Sequence, residues 1–193
     1  MTTASTSKKT ALRTHTCGEL TAANAGQTVT LAGWNDAKRN HGGVIFINLR
    51  DLYGVTQVVA RPESPVFKTA EEVKSEYVLN ITGKVTPRPG SNANKDMPTG
   101  EIEIEASGIA ILNPSQPLPF ELSEHAGVSE ETRLKYRFLD LRRPRMAKNL
   151  ALRSRLSQVV RNYLYGLDFN EIETPLLTRS TPEGARDFVV PSR

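Results

Sequence analysis

The chain is short of several things, and each shortage excludes something. One cysteine, Cys17, stands among 193 residues, so no disulfide can close within the chain, and a reducing, cytoplasmic setting is compatible with it. Three histidines stand well apart. With a single cysteine they offer no spacing that suits zinc, and no metal site is expected. No apolar run nears the roughly 20 residues needed to cross a bilayer, so no association with membrane is expected. The first ten residues, MTTASTSKKT, lack the apolar core of a secretory signal and read as a flexible tail. Aromatic residues make up 6% of the chain, few for a surface given over to stacking single-stranded DNA. Acid, finally, is nearly missing from one stretch: between Arg133 and Arg161 stand ten lysines and arginines, with Asp140 the single acid among them.

What is present is ordinary in amount and uneven in place. Hydrophobic residues at 38% and charged ones at 24% suit one or two globular domains, and the net charge of +4 is modest. The one-sided basic stretch admits two readings, a solvated face or a surface for a polyanion, and the imbalance favours the second.

Five strand-like segments precede residue 113. TVTLAGW (28–34) alternates; residues 43–51 alternate again, with Ile45, Ile47 and Leu49 toward a core and Val44, Phe46, Asn48 and Arg50 on the other face. Leu52-Tyr53-Gly54 makes a turn, and VTQVVA (55–60) returns from it as in a hairpin. Ser64-Pro65 then opens a helix-compatible stretch, VFKTAEEVKSE. YVLNITGKV (77–85) and EIEIEA (101–106) complete the set, with Tyr77, Leu79, Ile81 and Val85 on one face of the former and Ile102 and Ile104 inward in the latter. Five strands with one helix, in this order, are expected of an OB-fold, a mainly β barrel whose strand 2–3 face binds oligonucleotides. Phe46 lies on that face. It can serve as a platform for a base or pack under a loop as satellite core, and the pattern alone leaves both open.

Residues 113–145 form a connector: NPSQPLPFELSEH is too rich in proline for regular helix. From Met146 the apolar positions Leu152, Leu156, Val159, Val160 and Tyr163 recur at helical spacing up to a stop at Gly166, and NEIETPLL then predicts a short strand closed by Pro175. A helix and a strand of this size can hardly bury a core alone.

The stretches "VTLAGW", "HGGVIFINLRD", "TGEIEIEAS", "RLKYRFLDLRRP" and "FNEIETPLLTRSTPEGARDFVVPSR" together resemble the amino-terminal part of bacterial-type aspartyl-tRNA synthetases, class II ligases that join aspartate to tRNA. The resemblance runs from about His15 to Arg193. It implies a tail at 1–14, an OB-fold anticodon-binding domain at 15–113, a hinge at 114–145, and at 146–193 the truncated start of an α+β class II catalytic domain. That start comprises the motif 1 helix and strand, with Pro175 at a dimer interface. It implies cytoplasmic location, ATP and Mg2+ for the full-length protein and none bound to this piece, tRNA(Asp) as partner, a homodimer, and no DNA. The residues that grip ATP would follow residue 193, so no catalytic residue is expected within the chain, and the chain alone is expected to be inactive.

Carried over position by position, Phe46 resembles the aromatic that stacks on the central anticodon base, and Gln57 the side chain that hydrogen-bonds it. Lys38, Arg39 and Lys74 match basic positions near the anticodon. Asn92 and Asn94 lie in the loop that approaches it, and Glu103 matches a carboxylate there, where a cytosine amino group could be accepted; without the resemblance Glu103 reads as a solvated strand glutamate. Glu183 matches a contact to L-aspartate. Where the family commonly reads Trp-Val-x-Arg-Arg-Arg-Asp, residues 34–40 read WNDAKRN. Ala37 lacks a basic side chain, and Asp36 is expected to set an acid beside the RNA face and weaken binding. Lys74, arginine in some members, gives up bidentate geometry.

His41 stands where members specific for the aspartate tRNA commonly have leucine, and members that also charge the asparagine tRNA have histidine; Ser91 matches a second such position. The two anticodons differ at one base, which one side chain can discriminate. The resemblance therefore implies charging of tRNA(Asp) and tRNA(Asn), while the alternative reading of His41 is a cap on the Gly42-Gly43 turn. A different class of function stays open beside the ligase: a stand-alone OB-fold RNA-binding module without catalysis.

Overall fold

The structure is a computed structural model, and it describes residues 9–88, 93–95, 97–123 and 126–176. Ser91, Asn92 and Glu183, all singled out above, lie outside these residues. The chain divides into two compact units, Met1–Pro117 and Leu118–Arg193.

The first unit is built on five strands, β1 (Thr28–His41), β2 (Val44–Arg50), β3 (Val55–Ala60), β4 (Val78–Pro87) and β5 (Ile102–Asn113), with a helix α1 (Phe67–Glu72) between β3 and β4. They close in the order β1-β2-β3-β5-β4, the expected OB barrel. β1 serves two neighbours: its first half pairs with β4 and its second with β2, and Trp34 faces partners on both. The ladder to β2 skips a residue between Asn35 and Ala37, a bulge at Asp36 that bends the strand across the barrel. Gly33 stands at the bend, where a Cβ would come within 2.4 Å of the Arg50 carbonyl oxygen. β3 and β5 complete the closure through a short parallel pairing, Val58 with Ile104 and Val59 with Glu105.

Side-chain alternation decides the core. Ile45, Ile47 and Leu49 from β2, Leu79, Ile81 and Val85 from β4, and Ile102 and Ile104 from β5 are fully buried, the faces expected from the period-two pattern. Two strands outrun the sequence expectation: β1 continues to His41 and β5 to Asn113. Their extensions are too polar to show an apolar period, and pairing with neighbours holds them in the sheet. α1 is shorter than the helix-compatible stretch and starts at Phe67, two residues past the expected proline. It lays Val66, Ala70 and Val73, all buried, against the barrel. At the β2–β3 turn the Asp51 carboxylate accepts from the Tyr53 and Gly54 amides at 2.7 and 3.0 Å. Residues 9–14, which the resemblance put in the tail, are tied to the barrel: the Asn80 side-chain amide donates to the Leu12 carbonyl at 2.5 Å, and the Thr14 backbone amide to the Thr30 carbonyl at 2.9 Å.

The second unit holds α2 (Glu130–Lys135), α3 (Arg137–Asp140) and α4 (Pro144–Tyr165). Ser129 caps α2 by accepting from the Thr132 amide, and Asp140 is fully buried. α4 matches the helix expected from its spacing, with proline in its first turn and Gly166 at its end. Its apolar positions Leu152, Leu156, Val159, Val160 and Tyr163 are exposed. The strand expected over NEIETPLL is not formed: residues 170–176 carry no strand pairing. A strand exists only through a neighbour that takes its backbone hydrogen bonds, and the described residues offer this segment none.

Candidate nucleic-acid interface

The outer faces of β1, β2 and β3 meet in a cleft of about 600 Å³. Strand register orders its residues into cross-strand rows. Ala37, Asn48 and Gln57 form the innermost row, Arg39, Phe46 and Val59 the next, and His41 and Val44 the outermost, beside the Gly42-Gly43 turn. Phe46 is thus flanked by a guanidinium on one strand and a valine on the other, its ring half-buried while Ile45 and Ile47 beside it face the core. The ring presents part of its surface to the cleft.

The floor is polar and fixed. Gln57 is 8% exposed, and its Nε2 donates to Glu103 Oε2 at 3.1 Å. That leaves Gln57 Oε1 as an acceptor with no hydrogen bond among the described residues. Arg88, also buried, donates from Nε to the Ile102 carbonyl at 2.9 Å, and its terminal amine approaches Met97 Sδ. Burial pulls its pKa down, Glu103 acts against that, and Arg39 adds to it. The cleft therefore combines an apolar platform, an amide acceptor, a carboxylate and several arginines, the components needed for a stacked base with a phosphate backbone alongside.

Of the sequence-derived residues, the fold brings Arg39, His41, Phe46, Gln57, Asn94 and Glu103 together around this cleft. Two basic residues lie elsewhere. Lys38 turns its ammonium onto the end of α1, donating to the Glu71 carbonyl at 2.7 Å and approaching that of Ala70 at 3.4 Å. It caps the helix there, and burial lowers its pKa, with Glu71 opposing and Lys74 reinforcing. Lys74 is exposed just beyond α1, where its carbonyl accepts from the Asn35 side chain at 2.9 Å. Pro175 is exposed in the segment after α4.

Asp36 has a partner on the neighbouring strand. Its carboxylate lies 2.9 Å from Arg50 Nε, and Arg50 also pairs with Glu76 at 2.5 Å. Asp36 is the bulge residue, next to Ala37 of the innermost row, and its carboxylate turns to Arg50. The acid is thus paired with a cation and is not among the residues lining the cleft.

Arg61 and Arg88 also line the cleft and went unnoticed in the sequence. The alternation Gln57, Val59, Arg61 could have found the former. The latter depends on β4 pairing with β5 at Pro87 and Ile102, which no local pattern reveals.

The fold defines a class, the OB-fold domain, with a polar cleft on its strand 2–3 face. Comparison agrees: residues 29–112 match the family described as OB-fold nucleic acid binding domain, and residues 129–193 match tRNA synthetases class II (D, K and N). The chain is 54% identical over 182 residues to an aspartate–tRNA(Asp/Asn) ligase of Rubrobacter xylanophilus, covering 94% of this chain and 30% of the relative. It is 50% identical over 181 residues to an aspartate–tRNA ligase of Streptomyces avermitilis, covering 94% and 31%. In fold it is similar to the asparaginyl-tRNA synthetase of Pyrococcus horikoshii complexed with asparaginyl-adenylate, with a TM-score of 0.73 at 24% identity over 89% of this chain and 38% of the other. Over 94% of its own length the chain thus matches part of the aspartate–tRNA ligases. It spans about 30% of the length of the curated relatives it matches.

Proposed function

We propose that this chain supplies the anticodon-binding part of an aspartate–tRNA ligase, a cytoplasmic enzyme that uses ATP and Mg2+ to activate L-aspartate and transfer it to tRNA(Asp) and tRNA(Asn). The observation that carries the reading is Phe46, an open ring with Gln57 Oε1 in the adjoining row and arginines around it. A central anticodon uracil stacked on that ring presents its N3–H to the Gln57 oxygen, whose orientation follows from the Gln57–Glu103 bond. Arg39 is placed for the backbone, and Asn94 for a flanking nucleotide. Asn92 in the same loop, Lys38 and Lys74 as long-range cations, and Glu183 as the aspartate contact complete the proposed set. The exposed apolar positions of α4 support a homodimer through motif 1, in which Pro175 takes part.

His41 is the basis for two tRNAs. It stands in the outermost row beside Val44, where a neighbouring base of the anticodon would reach, and an imidazole can donate to or accept from either base at the differing position, whereas leucine offers only shape. With Ser91 at the second such sequence position, this favours relaxed charging, and the relatives include one named for both tRNAs. The test is kcat/KM of the longer protein on the two tRNAs with and without His41→Leu. The expected result is comparable charging by the parent and a roughly tenfold or greater loss on tRNA(Asn) in the variant. A strong preference for tRNA(Asp) that the substitution leaves unchanged would refute it.

A further inference from the structure

Arg61 stands one residue beyond Ala60, which pairs with Ile45, so the register brings it opposite Val44 at the open edge of the cleft. It extends the row of β3 positions Gln57 and Val59 from the buried floor to the rim. The β1–β2 turn is close by: a Cβ on Gly43 would meet the Pro62 ring at 3.9 Å. Arg61 is half-exposed, and its Nε lies 3.5 Å from Oε1 of Glu105, equally exposed on β5. Such a pair contributes little stability, because water screens it and two long side chains must be held still.

We infer that Arg61 is a further contact for the RNA backbone, resting on Glu105 in the free protein and exchanged onto a phosphate when RNA binds. The inference rests on the reading of the cleft as an anticodon interface. Bases can enter the buried floor because they are uncharged, but phosphates must stay near water or meet a cation. At the floor, Arg88 is fixed to the Ile102 carbonyl by its Nε. At the rim, Arg61 has the exposure to follow a moving backbone, and a guanidinium matches phosphate oxygens in bidentate geometry better than it matches a single oxygen of Glu105 at 3.5 Å. Glu105 then acts as a competitor: it disfavours any anion too weakly bound to displace it.

The experiment measures binding of an RNA hairpin carrying the aspartate-tRNA anticodon loop to the 193-residue chain, against salt, for the parent, Arg61→Gln, Glu105→Gln, the double variant and Phe46→Ala. Arg61→Gln is expected to weaken binding roughly fivefold and to reduce the log–log salt slope by about 0.7, the share of one phosphate on a single strand. Glu105→Gln is expected to strengthen binding, and to do so far less when Arg61 is already glutamine. Unchanged affinity and slope in Arg61→Gln, or an equal gain from Glu105→Gln in both backgrounds, overturns the inference while Phe46→Ala still loses binding. If Phe46→Ala also binds like the parent, the reading of the cleft falls and Arg61 with it.

Discussion

Replacing Phe46 by alanine tests the interface at its centre. The ring is on the outer face of β2, while the residues on either side of it, Ile45 and Ile47, are buried at 2% and 0% exposure. The substitution therefore removes the platform without opening the core, and its cost to stability should fall near 1 kcal/mol, well short of the 3–5 kcal/mol of a core phenylalanine. Base stacking on an aromatic is worth about 1–3 kcal/mol, so the dissociation constant for the anticodon hairpin should rise between roughly fivefold and 150-fold. No charge is altered, so the salt slope should stay that of the parent, whereas Arg39→Gln should lower it by about 0.7. Phe46→Trp should retain most of the affinity, since it keeps a stacking face. Fluorescence anisotropy at several salt concentrations, with thermal unfolding as a check on folding, reads all of this. Binding by Phe46→Ala within twofold of the parent, in a variant that melts like the parent, would refute the stacking argument.

Two further outcomes follow from buried titratable groups. Cys17 is fully buried; burial, and after it the Asp51 carboxylate, push its thiol far above the usual range. Thiolate falls about tenfold for each pH unit of that rise, so alkylation at about pH 8 should be a hundredfold or more slower in the native chain than in denaturant, and equal rates would refute the burial. Asp140 is held below the ordinary carboxylate range, chiefly by hydrogen bonds from Arg133, against the opposing effect of burial. A depressed carboxylate stabilises above its unfolded value near 4 and loses that contribution as pH falls through its lowered folded value. Amide exchange protection of residues 133–143 should therefore be flat from neutral pH down to about 4, and drop below that. Asp140→Asn should be unprotected at every pH and lack the transition, and a parent-like profile in that variant would refute the assignment.

How much was legible in the sequence depended on whether a feature was periodic or relational. EIEIEA and VIFINLR announce their inward faces because alternation is written in adjacent residues, and the five strands and the faces of β2, β4 and β5 follow from it. Phe46 was visible as a misplaced aromatic on a strand face, though its role needed the rows of Arg39 and Val59 beside it. The pairing of Asp36 is not legible in the sequence, because its partner, Arg50, is fourteen positions away and is brought to it by a bulge that no local pattern marks. Lys38 shares its neighbourhood in sequence with Arg39, yet successive strand residues point to opposite faces; one meets the cleft and the other the end of α1. NEIETPLL reads as a strand by composition, but composition supplies no neighbour.

Charge shows the same division most sharply. The ten cations between Arg133 and Arg161 suggested a polyanion, but a count of charges treats each as available. Arg133 donates to Asp140 at 2.9 Å, Arg137 pairs with the other oxygen of the same carboxylate, and Arg143 stands 3.8 Å from it while donating to the Ser123 and Ala126 carbonyls. One buried acid thus organises three cations, and what they hold together is the segment leading into α4. Their replacement would disturb the fold of that segment before it disturbed any ligand. In the barrel the count is similar but the arrangement differs: Arg39, Arg61 and Arg88 line one cleft with Glu103, with Glu105 at its edge. The charges there surround an aromatic side chain and an amide, the groups that the proposed stacking of a base needs. An anion needs cations that converge on space large enough to admit it; among the described residues the cleft over β2 offers about 600 Å³, and the cavity between Arg133, Arg143 and Arg145 about 240 Å³.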